Sequence, residues 1–193
     1  MPSSNEQFKD AIFNHIKYIT GYDNRLKILD VGAGMGTYAL GLPKLKMDAL
    51  EIHQPYIDKF NLLSLYSNVF CDTILNFNYD KYDYIIMGDV LEHIKVEDAI
   101  SLISDISNKK IKLIVGVPHN MPQGSHFTLN GEEWDVESEI HHQPDLTPRV
   151  MKSRYPSLEI FLTNNFENWG YAYYNQPLHQ RPTSPHLQPK LHQ

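Results

Sequence analysis

Lys27–Leu40 reads KILDVGAGMGTYAL. An apolar run ends in Asp30, and Gly32, Gly34 and Gly36 follow at alternate positions before Thr37. Glycine lacks Cβ, so it takes positive φ without strain and lets a ligand lie against the main chain. The stretch predicts a strand, a tight turn and a helix start. This is the crevice at the carboxyl end of a parallel strand where doubly wound folds bind nucleotides. A dinucleotide fingerprint, G-x-G-x-x-G, would carry its last glycine at position 37, where this chain has Thr37. The spacing here is G-x-G-x-G.

Outward from this turn, strand-like and helical stretches alternate. Asn5–Ile19 carries Phe8, Ile12, Phe13, Ile16 and Ile19 at a spacing near ~3.6, the mark of an amphipathic helix, and Gly21 stops it. Strands are expected at Lys27–Val31, Asp48–Ile52, Val69–Cys71, Tyr82–Met87 and Ile111–Val117. Helices are expected at Thr37–Leu42, Tyr56–Tyr66 and Val90–Ser107. Such alternation predicts an α/β fold, a mostly parallel sheet with helices on both faces. Pro118–Asp145 breaks the pattern with four His, three Pro and two Gly. Loops longer than ~12–15 residues are usually functional or disordered. Phe127, Leu129, Trp134 and Ile140 give this one apolar anchors, so it reads as a lid. A short helix near Pro148–Arg154 and strands Leu158–Leu162 and Gly170–Tyr174 complete the order, the last two as an antiparallel pair around Asn164–Asn168.

The chain has 193 residues, 22.4 kDa and 41% hydrophobic content, which suits one domain, taken as residues 1–175. Residues 176–193 hold four prolines and no periodicity, and read as a flexible tail. A net charge of −6 has the wrong sign for a phosphate-backbone footprint, so no nucleic-acid partner is expected. No run reaches the ~20 apolar residues that span a bilayer, and no membrane partner is expected. Cys71 is the single cysteine, and no secretory signal is visible, which fits a cytoplasmic setting. On its expected central strand Cys71 reads as an inert small hydrophobe. The chain could equally be one domain of a longer protein.

LDVGAGMG, over Leu29–Gly36, resembles the first motif of class I S-adenosylmethionine-dependent methyltransferases. Three further stretches agree in order: Glu51 at the end of the second strand, Asp72 in VFCDTI, and YDYIIMGDVLEHI followed by IKLIVGVP. The resemblance covers Ile28 to about Pro118. It implies a Rossmann-like, seven-stranded three-layer α/β/α sandwich with strand order 3-2-1-4-5-7-6. It also implies S-adenosylmethionine as cofactor. Asp30 and the Gly32, Ala33, Gly34 and Gly36 turn would position its methionine part, and Glu51, with Ile52 beside it, would accept from both ribose hydroxyls. Asp72 would lie near the adenine amino group, and Asp89 and Val90 would line the methionine end.

Catalytic candidates follow from the same resemblance. Asp89, Glu92 and His93 fall after the fourth strand. His93 could serve as a general base, since an imidazole pKa near ~6.5 suits proton removal at neutral pH; it could equally pack under the loop, with Asp89 and Glu92 capping a helix. Gln123, Asn130–Gly131 and Glu139-x-His141 loosely resemble the segment that closes over the acceptor in small-molecule and glycan methyltransferases, which makes His141 a candidate. His119, His126, His141 and His142 show no tight ligand spacing, so they read as solvated loop residues and no metal is expected. Tyr38 and Trp134 could offer π-faces to a sulfonium or serve as packing.

Together these readings predict methyl transfer to a small-molecule or saccharide hydroxyl, with the acceptor pocket formed by Phe8–Ile19, residues 118–145 and the Asp89–His93 turn. Two other classes stay open: a non-catalytic adenosylmethionine-binding or partner module, and an NAD-dependent oxidoreductase.

Overall fold

A computed structural model of the chain describes residues 6–129, 131–163 and 170–175. The core of the sheet is four parallel strands: β1 (Ile28–Val31), β2 (Asp48–Glu51), β3 (Val69–Cys71) and β4 (Tyr84–Gly88), joined in parallel to β5 (Lys112–Pro118). All four residues of β1 are buried, and so are six of the seven in β5. Apolar runs with no alternation are what a sheet covered on both faces demands. One face packs on α1 (Glu6–Thr20), α2 (Thr37–Gly41) and α3 (Gln54–Lys59) through Ile12, Ile16, Leu42 and Ile57. The other packs on α4 (Val96–Asn108) and α5 (Pro148–Arg154) through Leu102, Ile103, Ile106 and Met151. The result is the expected three-layer sandwich.

A short antiparallel hairpin, β6 (His126–Leu129) and β7 (Glu132–Asp135), stands apart from this sheet. Two strands, β8 (Glu159–Thr163) and β9 (Gly170–Tyr174), close the main sheet, β9 running antiparallel beside β5. The order is β3-β2-β1-β4-β5-β9-β8, and with the hairpin strands left out of the count this is the predicted 3-2-1-4-5-7-6. The Asn164–Asn168 turn and the 176–193 tail lie outside the described residues.

Several expected boundaries shift for physical reasons. The helix expected over Tyr56–Tyr66 stops at Lys59, because Asn61 takes a left-handed φ of 49° and a single 3₁₀ turn, Leu62–Ser64, follows. The helix expected over Val90–Ser107 is divided into a 3₁₀ turn at Leu91–His93 and α4. The side-chain amide of Gln143 donates to the carbonyls of Leu91 and Ile94, both at 2.9 Å, and so takes acceptors that a continuous helix would use. Glu92 and His93 therefore do not sit in the first turn of α4. Cys71 is exposed at the end of β3, an edge strand, rather than central. The 118–145 segment is not a structureless lid: it holds the hairpin and a 3₁₀ turn at Glu137–Glu139.

α1 is a core helix. Its Ile12, Phe13 and Ile16 are buried, and a Cβ on Gly41 would come within 2.4 Å of the Phe13 ring. Among the described residues, no α1 residue lines either of the two clefts beside the glycine turn.

Gly36 has φ 77°, and an added Cβ would lie 2.5 Å from Leu65 Cδ1. Left-handed strain costs about 1–2 kcal/mol in a residue with a Cβ, and the displaced leucine adds to it. Gly36→Ala is expected to lower the unfolding free energy by about 2–3 kcal/mol in urea denaturation. A change below ~0.5 kcal/mol would show that the turn is not rigid.

Candidate functional site

The glycine turn is built against the end of β2. Gly32, Gly34 and Gly36 all take left-handed φ, of 65°, 50° and 77°. The Gly34 N–H donates to Glu51 Oε2 at 2.8 Å, and the His53 N–H donates to Oε1 at 2.9 Å. One carboxylate thus fixes both the turn and the chain leaving β2. Each oxygen keeps a further lone pair. Burial pushes the Glu51 carboxyl above its ordinary pKa, while these backbone donors pull it back.

Two clefts meet at this turn. The larger, of about 300 Å³, is mostly apolar: Ile52, Ile74, Leu75, Val90 and Ile94 form its walls, with Asp72 and Thr73 at one end. The smaller, of about 80 Å³, gathers more ionisable side chains: Gly34, Glu51, Tyr56, Asp89 and Glu139 line it. Gly32, Ile52, Val90, His93 and Ser138 belong to both. The larger one lies at the lower end of the volume range of small-molecule sites. Ile52 is 53% exposed, a large apolar side chain left open over the cleft.

Of the residues singled out in the sequence, Gly32, Gly34, Glu51, Ile52, Asp72, Asp89, Val90 and His93 come together here. Asp72 is exposed, and its Oδ1 accepts from the Thr73 N–H at 2.7 Å. Asp89 holds φ 55°, a left-handed conformation in a non-glycine residue, and its N–H donates to the Gly116 carbonyl. Three expected contacts lie deeper. Ala33 turns its methyl into the core, Gly36 packs under Leu65, and Asp30 is buried, accepting from the Tyr66 hydroxyl at 2.5 Å. These residues shape the turn from beneath. Gly32 likewise has a packing reason, since a Cβ there would meet Val90 Cγ2 at 2.4 Å.

His93 and His141 meet edge to face, 4.7 Å between ring centroids. His141 is only 6% exposed, so it is not the solvated loop residue expected, and Glu92 beside the pair is 1% exposed. Burial, the largest influence, pushes the His93 pKa down to about 4 and lowers that of His141 as well. At neutral pH both rings are neutral, and His93 is a much weaker base than a free imidazole. His126 and His142 are exposed, as expected of loop residues.

The 118–145 segment is clasped over the site by groups that carry no local sequence signal. Gln143 is buried and binds Leu91, Ile94 and the Tyr155 hydroxyl, while its N–H donates to the Glu92 carbonyl. Gln123 donates to the Glu139 carbonyl at 2.9 Å, so it is a clip inside the loop. Trp134 packs against Tyr56 at 5.2 Å with Lys59 over its ring at 4.7 Å. Lys59 also pairs with Glu132, docking the hairpin on α3. Tyr38 lies on Gly88 and edge-on to Phe13, which makes it packing in the first instance.

No helix among the described residues is long and apolar enough to cross a membrane. No family model matches the sequence, and no curated protein does. Solved structures do match. An S-adenosylmethionine-dependent methyltransferase from Clostridium acetobutylicum is similar over 90% of this chain and 92% of its own, with TM-score 0.58 and 16% identity. Magnesium protoporphyrin IX methyltransferase from Synechocystis, solved with bound adenosylhomocysteine, covers 87% and 81%, with TM-score 0.60 and 14% identity. A methyltransferase from Archaeoglobus fulgidus covers 88% and 96%, with TM-score 0.57 and 15% identity.

Asp30 gives the turn a pH signature. Its pKa is pushed from 3.8 up to about 7, first by burial and further by the Glu51 charge, with the Tyr66 hydrogen bond opposing. Between those two values the folded chain holds a proton that the unfolded chain has released, so stability from this group falls as pH rises. Relative to Asp30→Asn, the wild-type chain is expected to lose up to about 1.4 kcal/mol per pH unit across that window in urea titrations. Parallel curves for the two proteins would contradict the assignment. Sheet order, the crossovers and the placement of the glycine turn lead to one conclusion: the chain has the fold of S-adenosylmethionine-dependent methyltransferases.

Proposed function

We propose that the chain is an S-adenosylmethionine-dependent methyltransferase acting on a hydroxyl of a small molecule or saccharide. The observation that carries this reading is the Glu51 carboxylate, fixed by the Gly34 and His53 N–H groups on the wall of the smaller of two clefts that share Gly32, Ile52, Val90 and His93. The residues present fit the cofactor: Glu51 keeps lone pairs for ribose hydroxyls, and Ile52, Leu75 and Val90 form an apolar slot that ends on Asp72. The slot would take the adenine, and the smaller cleft, with Gly34 and Asp89, would take the methionine part. Adenosylmethionine supplies an electrophilic methyl on a sulfonium and departs as the neutral thioether.

The chain's own contribution is positioning. A substrate oxygen held in line with the methyl gains an effective concentration of ~10⁵ M or more. Asp89, His93 and Glu139 line the smaller cleft, and none is a donor when the acids are ionised and the His93 Nδ1 proton is engaged by the Ile140 carbonyl. Such a site suits an acceptor that donates a proton. The same carboxylates would hold an amine as ammonium, which has no lone pair to attack, so a hydroxyl is the favoured acceptor. His93 Nε2 would accept from that hydroxyl, with Asp89 beside it and His141 holding the His93 ring. The clasp over the junction favours a small or terminal acceptor.

Incubation with methyl-labelled adenosylmethionine and fractionated metabolite and saccharide pools tests this reading. Label is expected in a hydroxyl-bearing small molecule, with adenosylhomocysteine formed in equal amount, and Glu51→Ala is expected to reduce transfer by about 10–100-fold. Label found only in bulk RNA or protein would overturn the acceptor class. No transfer to any pool would overturn the catalytic reading.

A further inference from the structure

Glu92, His93 and His141 hold one ligand atom each within 4.8 Å of one another. Both Glu92 carboxylate oxygens lack a hydrogen-bond partner although the residue is 1% exposed, and His141 Nε2 is buried without a partner as well. An unpaired buried carboxylate is costly, and the charges that act on this one, Asp89 and Glu139, have its own sign. A native core satisfies such groups, so the arrangement lacks a positive partner.

The histidine tautomers are already set for that partner. His141 Nδ1 lies 2.6 Å from the Met121 carbonyl, and His93 Nδ1 lies 3.3 Å from the Ile140 carbonyl. A carbonyl only accepts, so both Nδ1 atoms carry the proton and both Nε2 atoms present a lone pair. A backbone carbonyl on the far nitrogen is how ligating histidines are oriented in metal sites. The backbone holds the three residues together: the Gln143 N–H donates to the Glu92 carbonyl, and the His141 N–H to the Gln123 carbonyl.

We infer that Glu92, His93 and His141 form a binding site for a divalent first-row transition ion. Two imidazoles and one carboxylate favour Mn²⁺, Fe²⁺, Co²⁺ or Zn²⁺ over Mg²⁺ and Ca²⁺, which prefer all-oxygen shells. Donor atoms bound to one ion by ~2.1 Å bonds lie about 3.0–3.4 Å apart in adjacent tetrahedral or octahedral positions, so ligand atoms as much as 4.8 Å apart would draw in by up to roughly 1.5 Å, within reach of side-chain rotation. Three protein ligands leave positions open for water or an acceptor oxygen. His93 lines both clefts, so an ion held on it would stand beside the junction, and with the ion bound an acceptor hydroxyl there would meet the ion in place of the His93 lone pair. Ion binding stands on the three side chains and not on the methyl-transfer reading, and its test reads the metal rather than activity.

The test uses the full chain, stripped with a chelator and titrated with Co²⁺, followed by visible d–d absorption and calorimetry. One equivalent is expected to bind to the wild type and to His126→Gln, an exposed hairpin histidine outside the cluster. Glu92→Gln and His141→Gln are expected to lose at least ~10-fold in affinity, with folding checked by circular dichroism. Excess Mg²⁺ is expected to leave the bound Co²⁺ in place. If either variant fails to fold, the wild-type chain still decides: Zn²⁺ is expected to shift the Nε2 resonances of His93 and His141 and to leave His126 unmoved. No Co²⁺ binding by the wild type, equal binding by folded Glu92→Gln and His141→Gln, or unshifted His93 and His141 resonances would overturn the site.

Discussion

The Glu51 carboxylate is the interaction on which the rest of the site depends. It sits at the end of β2 and accepts from the N–H of Gly34, across the sheet, and from the N–H of His53, two residues on. The glycine turn is thereby held against the second strand, and the clefts on either side of it exist because the turn cannot collapse into them. The cost is a buried negative charge next to Asp30, which shares the low-dielectric region beneath the turn. Charge-assisted bonds to backbone donors offset that cost, and they are stronger than bonds between neutral partners. Asp30 contributes from below, tied to Tyr66, which couples the 3₁₀ segment after α3 to β1.

A second constraint gathers the groups opposite Glu51. Gln143 interrupts what would otherwise be one long helix after β4, and the 3₁₀ turn that results presents Glu92 inward and His93 toward the clefts. The same glutamine ends the loop that delivers His141 to His93. One buried amide therefore assembles residues that lie about 50 positions apart in the chain. The hairpin is fixed separately, by Trp134 on Tyr56 and by Lys59 pairing with Glu132, so the loop over the site is anchored at two places.

Much of the fold was legible because its signals are local. The unbroken apolar strands, the glycine spacing and the carboxylates at strand ends are each set within a few residues, and together they dictate strand order. Glu51, Asp72 and Asp89 were legible for the same reason, as each ends a strand or directly follows one. The interruption at Leu91–His93 was not legible, because its cause is a side chain 50 positions away. The character of His141 was hidden likewise: a histidine in a proline-rich loop reads as solvated until the loop folds back over the 3₁₀ turn. The motif also includes Ala33 and Asp30, whose side chains are buried beneath the turn. A motif marks which residues belong to a site without saying which of them face the ligand.

The central claim is that the two clefts at the glycine turn are built for an adenosyl group joined to an amino acid and not for a dinucleotide. Calorimetric titration of the protein with adenosylmethionine, adenosylhomocysteine and NAD tests it most directly. The account predicts one site for each of the first two and no saturable binding of NAD. Tight binding of NAD with none of adenosylhomocysteine would contradict it.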